Sequence, residues 1–315
     1  MSECCLAIDI GGSKYVVGLV SRAGQILAKR RYAWTAAETG SVVRDIVHSA
    51  KALLAEHAAH SPRAVGATIP GLADPLRGLW VESSFLGIRN LPIAQALERE
   101  LGLPAFADND GQACALAEKL FGACRDTPDF LYVTVSNGIG ASVFANGRLY
   151  GGSDGNAGEL GHCTVVENGR PCKCGNHGCL EVHAAGPAIA RNYTELGGRP
   201  LPDGSPADAA VIARRAREAE PEALAAYALE GEYLGKMLAV ACNLLNPAKV
   251  VLGGGVSLAF PLFEQALKKT LWARLYRAAN PNLAVLPTAL GYDGGLLGAA
   301  SVGFCMRERL FYAFF

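Results

Sequence analysis

No stretch of this sequence approaches the run of roughly 20 apolar residues that a membrane-spanning helix needs. The opening residues, MSECCLAIDIGG, lack the basic start and long apolar segment of an export signal. An excess of one charge is missing too, since 29 Lys and Arg balance 29 Asp and Glu. A balanced chain offers no electrostatic footprint for nucleic acid or an anionic membrane. Any anionic ligand must then be held locally, by a few placed groups. A cytoplasmic protein with neither kind of partner is expected. In a reducing compartment, scattered Cys act as small buried hydrophobes and clustered Cys suggest metal. Cys4, Cys5, Cys114, Cys124, Cys242 and Cys305 are scattered.

What is present is a repeated pattern. With 315 residues, half of them hydrophobic, the chain can form two domains with large cores. CCLAIDI, YVVGLV and QILAKRRY read as three strands separated by Gly11-Gly12 and Ala23-Gly24. Residues 41–60 have helical spacing, RAVGATIP is a buried strand, residues 92–102 look helical, and PAFA is a strand ending at Asp108-Asn109-Asp110. A helix-forming run, QACALAEKLFG, follows. The pattern then returns. DFLYVTV, a Gly turn at 137–140, ASVFA, the hairpin turn Asn146-Gly147 and RLY precede a helix over about 222–245 and the strand KVVLGG. Two copies of one architecture suggest a duplicated pair of α/β domains facing each other across a cleft, with a boundary near 111–123. The polar stretch 196–208 reads as a loop within the second copy.

Three features carry chemistry. In Asp9-Ile10-Gly11-Gly12-Ser13-Lys14, glycines let backbone N–H groups approach an anion, an Asp ends an apolar strand, and a Lys follows within reach of a phosphate. A plain hairpin with a surface Lys is the blander reading. The turn Ser136-Asn137-Gly138-Ile139-Gly140 occupies the matching place in the second copy, and two such loops would clamp a nucleoside triphosphate. Gly253-Gly254-Gly255, and Gly294-Gly295 before the last helix, are glycine turns that can pass close to a purine. Asp108-Asn109-Asp110 opens a strand end onto polar groups just before a helix. Either Asn109 or Asp110 can cap that helix, and an Asp there can take a proton from an attacking hydroxyl.

The third feature is GHCTVVENGRPCKCGNHGCLE, residues 161–181. Cys172, Cys174 and Cys179 with His162 supply three thiolates and one imidazole, a full tetrahedral set for Zn²⁺ with no open position. Such a site is structural. Cys163 and His177 are spare donors, and a cluster of free thiols without metal is the alternative. If one ring nitrogen of His162 binds metal, the other can grip a polar ligand. Glu159 and Glu181 flank the site, so a metal here can fix three polyol-binding groups at once.

The segments DIGGSK (9–14), PG (70–71), DNDGQACALAE (108–118), SNGIG (136–140), GNAGELGH (155–162), CKCGNHGCLE (172–181) and LGGGV (252–256) together resemble the ROK family of sugar kinases and sugar-sensing repressors, within the actin-like ATPase fold. The resemblance runs nearly end to end. It implies an α/β fold of two actin-like ATPase (RNase H-like) domains, 1–118 plus 298–315 and 119–297, with the zinc site in the second. It implies an ATP-dependent hexose kinase, glucokinase-like, acting at a 6-hydroxyl with Asp110 as general base. Gly71, Ser84, Asn109, Asp110, Glu159, His162 and Glu181 would contact the sugar. Asp9 would sit near Mg²⁺. Gly11, Gly12, Ser13 and Lys14 would lie near the phosphates, as would Asn137, Gly138 and Gly140, and Gly254 and Gly255 near adenine. His162, Cys172, Cys174 and Cys179 would hold zinc. A homodimer is the family's common assembly.

Two departures stand out. The second phosphate loop is usually GTGIGGG; here Asn137 replaces Thr, and Ser142 adds bulk near the nucleotide. The sugar loop reads SSFLGIRNLP, without the Trp that glucose-acting members often carry, which leaves the hexose open. An N-acylhexosamine kinase and a sugar-binding regulator without kinase activity are the alternatives. The first strand begins by residue 5, which leaves no room for a repressor's N-terminal DNA-binding domain. The apolar end RLFYAFF is expected to pack back on the first domain or at a subunit contact.

Overall fold

The computed structural model describes residues 3–34, 39–83 and 87–312. The chain divides into two compact units, Met1–Pro128 with Ser142–Ala157 and Ala289–Phe315, and Asp129–Ala141 with Gly158–Thr288.

The predicted meander forms β1 (Cys4–Ile10), β2 (Lys14–Ser21) and β3 (Ile26–Ala33). It is followed by α1 (Thr39–Glu56), β4 (Pro62–Ile69), β5 (Leu72–Asp74), β6 (Leu79–Ser83), β7 (Ile88–Leu91), α2 (Ile93–Leu101), β8 (Ala105–Asn109) and α3 (Asp110–Leu120). Strands β3, β2 and β1 pair antiparallel, and β4 and β8 continue the sheet parallel to β1, in the order β3-β2-β1-β4-β8. The short meander β5-β6-β7 forms a second sheet that the sequence pattern did not disclose.

Then come β9 (Phe130–Val135), β10 (Ile139–Ala145), β11 (Arg148–Tyr150), α4 (Glu181–Ala184), α5 (Gly186–Glu195), α6 (Ala209–Arg217), α7 (Pro221–Leu245), β12 (Lys249–Gly253), α8 (Phe260–Arg274), β13 (Ala284–Pro287) and α9 (Gly294–Glu308). Their sheet runs β11-β10-β9-β12-β13, the order of the first sheet repeated, with β12 parallel to β9 and β13. Asn146 and Gly147 both take positive φ at the β10–β11 turn, as a tight hairpin matched to strand twist requires. Helix α7 starts with Pro221 in its first turn and stops at Asn246, which is left-handed. Among the described residues no helix is long and apolar enough to cross a membrane.

Alternation along β1 divides the first unit's core into two layers. Leu6, Ile8 and Ile10 join a cluster with Val42, Ile46, Leu53, Trp80 and Leu97. Cys5 and Ala7, pointing the other way, meet Leu296, Ala299, Ala300 and Phe304 of α9. The second face is lined by small side chains because α9 lies almost on the backbone. Of the scattered cysteines, Cys4, Cys5, Cys124, Cys242 and Cys305 are buried as expected, while Cys114 is only half-buried. The C-terminal segment packs within the first unit: Tyr312 is 2% exposed, and Leu149 N donates to Phe311 O at 2.5 Å.

The close approach of α9 is tested at Gly66 in β4. A methyl group there would lie 1.9 Å from the Ala299 carbonyl oxygen. Backbone on both sides must move, so Gly66→Ala should cost about 3 kcal/mol, read from the denaturant midpoint. An unchanged midpoint would show that helix and sheet pack more loosely than described.

Candidate functional site

In the first unit, three parallel strands end side by side. Asp9 of β1 is in register with Thr68 of β4, and Thr68 with Asp108 of β8. The carboxyl ends of parallel strands are where such sheets present their polar groups. Thr68 Oγ1 donates to Asp9 Oδ1 at 2.8 Å and accepts from Ile10 N at 3.2 Å. Burial pushes the Asp9 carboxyl up, while the Thr68 hydroxyl and the charges of Lys14 and Arg31 pull it down. Gly11 N donates to Lys14 O at 2.9 Å, closing the first glycine turn, and the Trp34 indole donates to Gly11 O at 3.0 Å. Ser13 and Lys14 are exposed, and Gly12 is half-buried.

The turn after β8 is organised by Asn109. Its Oδ1 accepts from Gly111 N (2.9 Å) and Gln112 N (3.4 Å), capping α3, and its Nδ2 donates to Gly71 O (2.8 Å). Asn109 is therefore the cap, and Asp110 is the first residue of the helix, with Oδ1 accepting from Gly111 N at 2.9 Å. Gln112 Nε2 reaches Gly155 O at 2.8 Å. Desolvation first, and then the like charge of Asp9, push the Asp110 carboxyl up to about 6, against the hydrogen bonds from the turn. Asp110 is exposed, so solvent moderates the desolvation; the charge of Asp9 acts regardless.

In the second unit, the turn Ser136–Gly138 closes through Ser136 N donating to Gly138 O at 2.9 Å, and Asn137 is exposed. Glu181, at the start of α4, accepts from Ile139 N at 3.1 Å and pairs with Lys173 at 3.4 Å. A side chain at Gly138 would sit 2.4 Å from Glu181 Oε2, so glycine is what lets the carboxylate reach the turn. The Glu181 carboxylate thereby ties the second glycine turn to the Cys-rich loop, a contact that the spacing did not reveal.

A short 3-10 turn at Leu160–His162 brings Glu159 and His162 together, with Nε2 to Oε2 at 3.8 Å. The other ring nitrogen, Nδ1, lies 3.7 Å from Cys172 Sγ. Cys174 and Cys179 sulfurs are 3.6 Å apart, and ligand atoms of His162, Cys172, Cys174 and Cys179 all lie within 4.8 Å of one another. A tetrahedral zinc with ordinary Zn–S bonds has edges of roughly 3.8 Å, which this donor set fits. Cys163 and His177 stand outside the cluster. The loop is also pinned away from the sulfurs: Arg170 donates through its N–H to His183 Nε2 (3.3 Å), through its guanidinium to Val182 O (3.2 Å), and to Glu195 (2.5 Å). Burial and then the Arg170 charge lower the His183 pKa, keeping it the neutral acceptor this bond needs.

Glycines 254 and 255 follow β12; Gly254 has φ of 81° and accepts from Ser257 Oγ, and Gly255 borders open space. One expectation is modified. Gly295, expected to pass a purine, lies in the first turn of α9, where an added methyl would sit 2.5 Å from the Asp9 carboxylate. Ser142, expected to crowd a nucleotide, is 2% exposed in β10, and its hydroxyl has no hydrogen-bond partner among the described residues. Ser84 lies outside the described residues. Thr68, Trp34 and His183 were not anticipated. Thr68 carried a signal, a lone hydroxyl in the buried strand VGATI; the other two did not.

The ROK family model matches residues 5–303. An N-acetylglucosamine repressor of Escherichia coli O157:H7 is 34% identical over 74% of this chain, and the match spans only 58% of the repressor's length. A glucokinase of Thermotoga maritima is 32% identical over 97% of this chain and 98% of its own. The crystal structure of a ROK family glucokinase from Streptomyces griseus, in complex with glucose and AMPPNP, superposes with a TM-score of 0.84 at 30% identity, covering 96% of this chain and 99% of that one.

The Asn109 cap gives a test independent of activity. Asn109→Ala should lower stability by about 1 kcal/mol, and Asn109→Ser, which keeps a capping oxygen without adding charge, by much less. Equal losses in chemical denaturation would mean that the Gly71 contact, not the cap, is what Asn109 supplies.

Proposed function

The chain belongs to the ROK family, and on that premise we propose that it is a sugar kinase, transferring the γ-phosphoryl group of ATP to a hexose hydroxyl, by default the 6-hydroxyl of glucose. The observation that carries this reading is the Asp110 carboxyl at the start of α3, just past the end of β8, near Asp9 and pushed up to about 6. It is mostly ionised at neutral pH yet basic enough to accept a proton, the compromise that a general base requires. The kinship with full-length glucokinases supports it.

In this mechanism Asp110 takes the proton of the sugar hydroxyl as its oxygen bonds to the γ-phosphorus, and the bond to the β-phosphate oxygen breaks to release ADP. Catalysis of this kind is chiefly positioning and charge neutralisation. Mg²⁺ bound with ATP supplies that neutralisation, and Asp9 is the residue that would hold it. Asn109, Gly71, Glu159, His162 and Glu181 bind sugar hydroxyls. Gly11, Gly12, Ser13 and Lys14, with Asn137, Gly138 and Gly140, bind phosphates, and Gly254 and Gly255 border adenine. His162 Nδ1, Cys172, Cys174 and Cys179 would hold zinc, and that site would be structural, because four protein donors leave no open position. It leaves His162 Nε2, with Glu159, to face the sugar. A second reading, with an N-acylhexosamine as acceptor or as the ligand of a non-catalytic sensor, is favoured by the kinship with the N-acetylglucosamine repressor. ADP release from MgATP with glucose, mannose, N-acetylglucosamine and N-acetylmannosamine separates these readings.

Three outcomes are expected. Asp110→Asn should keep sugar affinity within about threefold while removing turnover, and wild-type kcat/KM should fall about tenfold per pH unit below pH about 6, because only ionised Asp110 accepts the proton. A mutant that turns over normally would refute the assignment. Elemental analysis should find one zinc per chain, lost in Cys174→Ser together with tight sugar binding; a zinc-free variant that binds sugar normally would show that the metal does not position Glu159 and His162.

A further inference from the structure

The Asp108 carboxylate is fully buried and is not used by the mechanism above. Both of its oxygens are engaged. Oδ2 accepts from the Tyr312 hydroxyl at 2.7 Å, and Oδ1 accepts from Asn109 N at 2.7 Å. Asn109 in turn caps α3 and holds Gly71, and Gly111 N donates to both the Asn109 and Asp110 side chains. A series of contacts therefore runs from Tyr312, 204 residues beyond Asp108 in sequence, through Asp108 and Asn109 to the Asp110 carboxylate. The tyrosine is itself fixed. Leu149 N donates to Phe311 O, Tyr312 bridges to Leu149, and the Phe311 ring lies 6.4 Å from Phe144 with the Lys119 ammonium 5.8 Å from its face.

We propose that Tyr312 is a positioning residue: acting through Asp108, it fixes the Asn109–Gly111 turn and so holds the Asp110 carboxylate in place. The proposal rests on the kinase reading for its effect on turnover, but the pair itself can be tested without it. A carboxylate can accept from Tyr312 and Asn109 together. Protonation of Oδ2 turns it into a donor and reverses its bond to the tyrosine hydroxyl, which then no longer stabilises a carboxylate. The tyrosine hydroxyl, kept protonated by burial and by the adjacent Asp108, is the donor that favours the ionised form against the desolvation that holds Asp108 at about 7. From α9, the Cys305 thiol is the other ionisable group bearing on Tyr312.

Tyr312→Phe deletes only the hydroxyl. It should lower kcat about tenfold with KM for sugar within about threefold. Protonation of Asp108, which loosens the turn, adds to the loss from Asp110, so the acid limb of kcat should move up by about half a pH unit or more when Asp108 ionises later. In an Asp108→Asn background, Tyr312→Phe should have no further effect on either quantity. A lower kcat with an unmoved limb, or the same loss in the Asp108→Asn background, would overturn the proposal as mere loss of packing.

Thermal melts read the pair without catalysis. Asp108 has a folded pKa above its unfolded value, so its contribution is full at acid pH and is lost as pH rises through about 7. Without the hydroxyl that loss should extend to higher pH. The melting-temperature gap between wild type and Tyr312→Phe should therefore widen from pH 6 to 9, and a constant gap would overturn the pairing. If wild type phosphorylates no sugar, the kinase reading fails, and the melts alone decide whether Tyr312 holds Asp108.

Discussion

Three carboxyl groups crowd the ends of two strands in the first unit, and the local structure is arranged around keeping them there. Like charges and a dry environment both oppose ionisation, and strand register leaves no freedom to separate them. Each acid is instead given its own neutral donor: the Thr68 hydroxyl for Asp9, the Tyr312 hydroxyl for Asp108, and the Gly111 N–H for Asp110. The donors come from an adjacent strand, from the C-terminal segment and from the first turn of a helix. Parts of the chain far apart in sequence thus converge on one small polar surface. Gly295 belongs to the same arrangement, since only glycine lets α9 begin against the Asp9 carboxylate.

The second unit handles a comparable difficulty with a different device. A loop rich in glycine and cysteine has little apolar surface to bury, so it is fastened at separate points. The sulfurs and His162 gather at one, Arg170 meets His183 and Glu195 at another, and Glu181 holds the glycine turn at a third. Within His162 one ring nitrogen faces the Cys172 sulfur and the other faces Glu159, so a single side chain joins the sulfur cluster to the acid beside it.

What the sequence disclosed was local or periodic. Both meanders, the Asn146-Gly147 turn, a helix cap at Asn109 or Asp110 and the four-donor cluster could be read from spacing, because each depends on residues close in sequence or on strand alternation. What it concealed depends on register and long-range packing. Nothing in QILAKRRYAW says that Trp34 folds back on Gly11, and nothing in RLFYAFF says that Tyr312 meets Asp108. Strands β5, β6 and β7, three to five residues each, fall below the length at which alternation becomes visible. The burial of Ser142 was likewise hidden, because it follows from the face of β10 on which the residue stands rather than from its type.

The path of the chain through the first unit has a consequence for how the protein is made. Its central strand, β1, is complete once Ile10 has been synthesised, but one face of that strand waits for α9, which starts at Gly294. Until then Cys5 and Ala7 have no covering layer, and the Asp108 carboxylate has no tyrosine. The first unit therefore closes late, after the ribosome has translated the second, and contacts of such long sequence separation make closure slow. A nascent chain held on the ribosome before residue 294 would carry every motif of the polar strand ends and yet lack the layer that makes them a rigid surface.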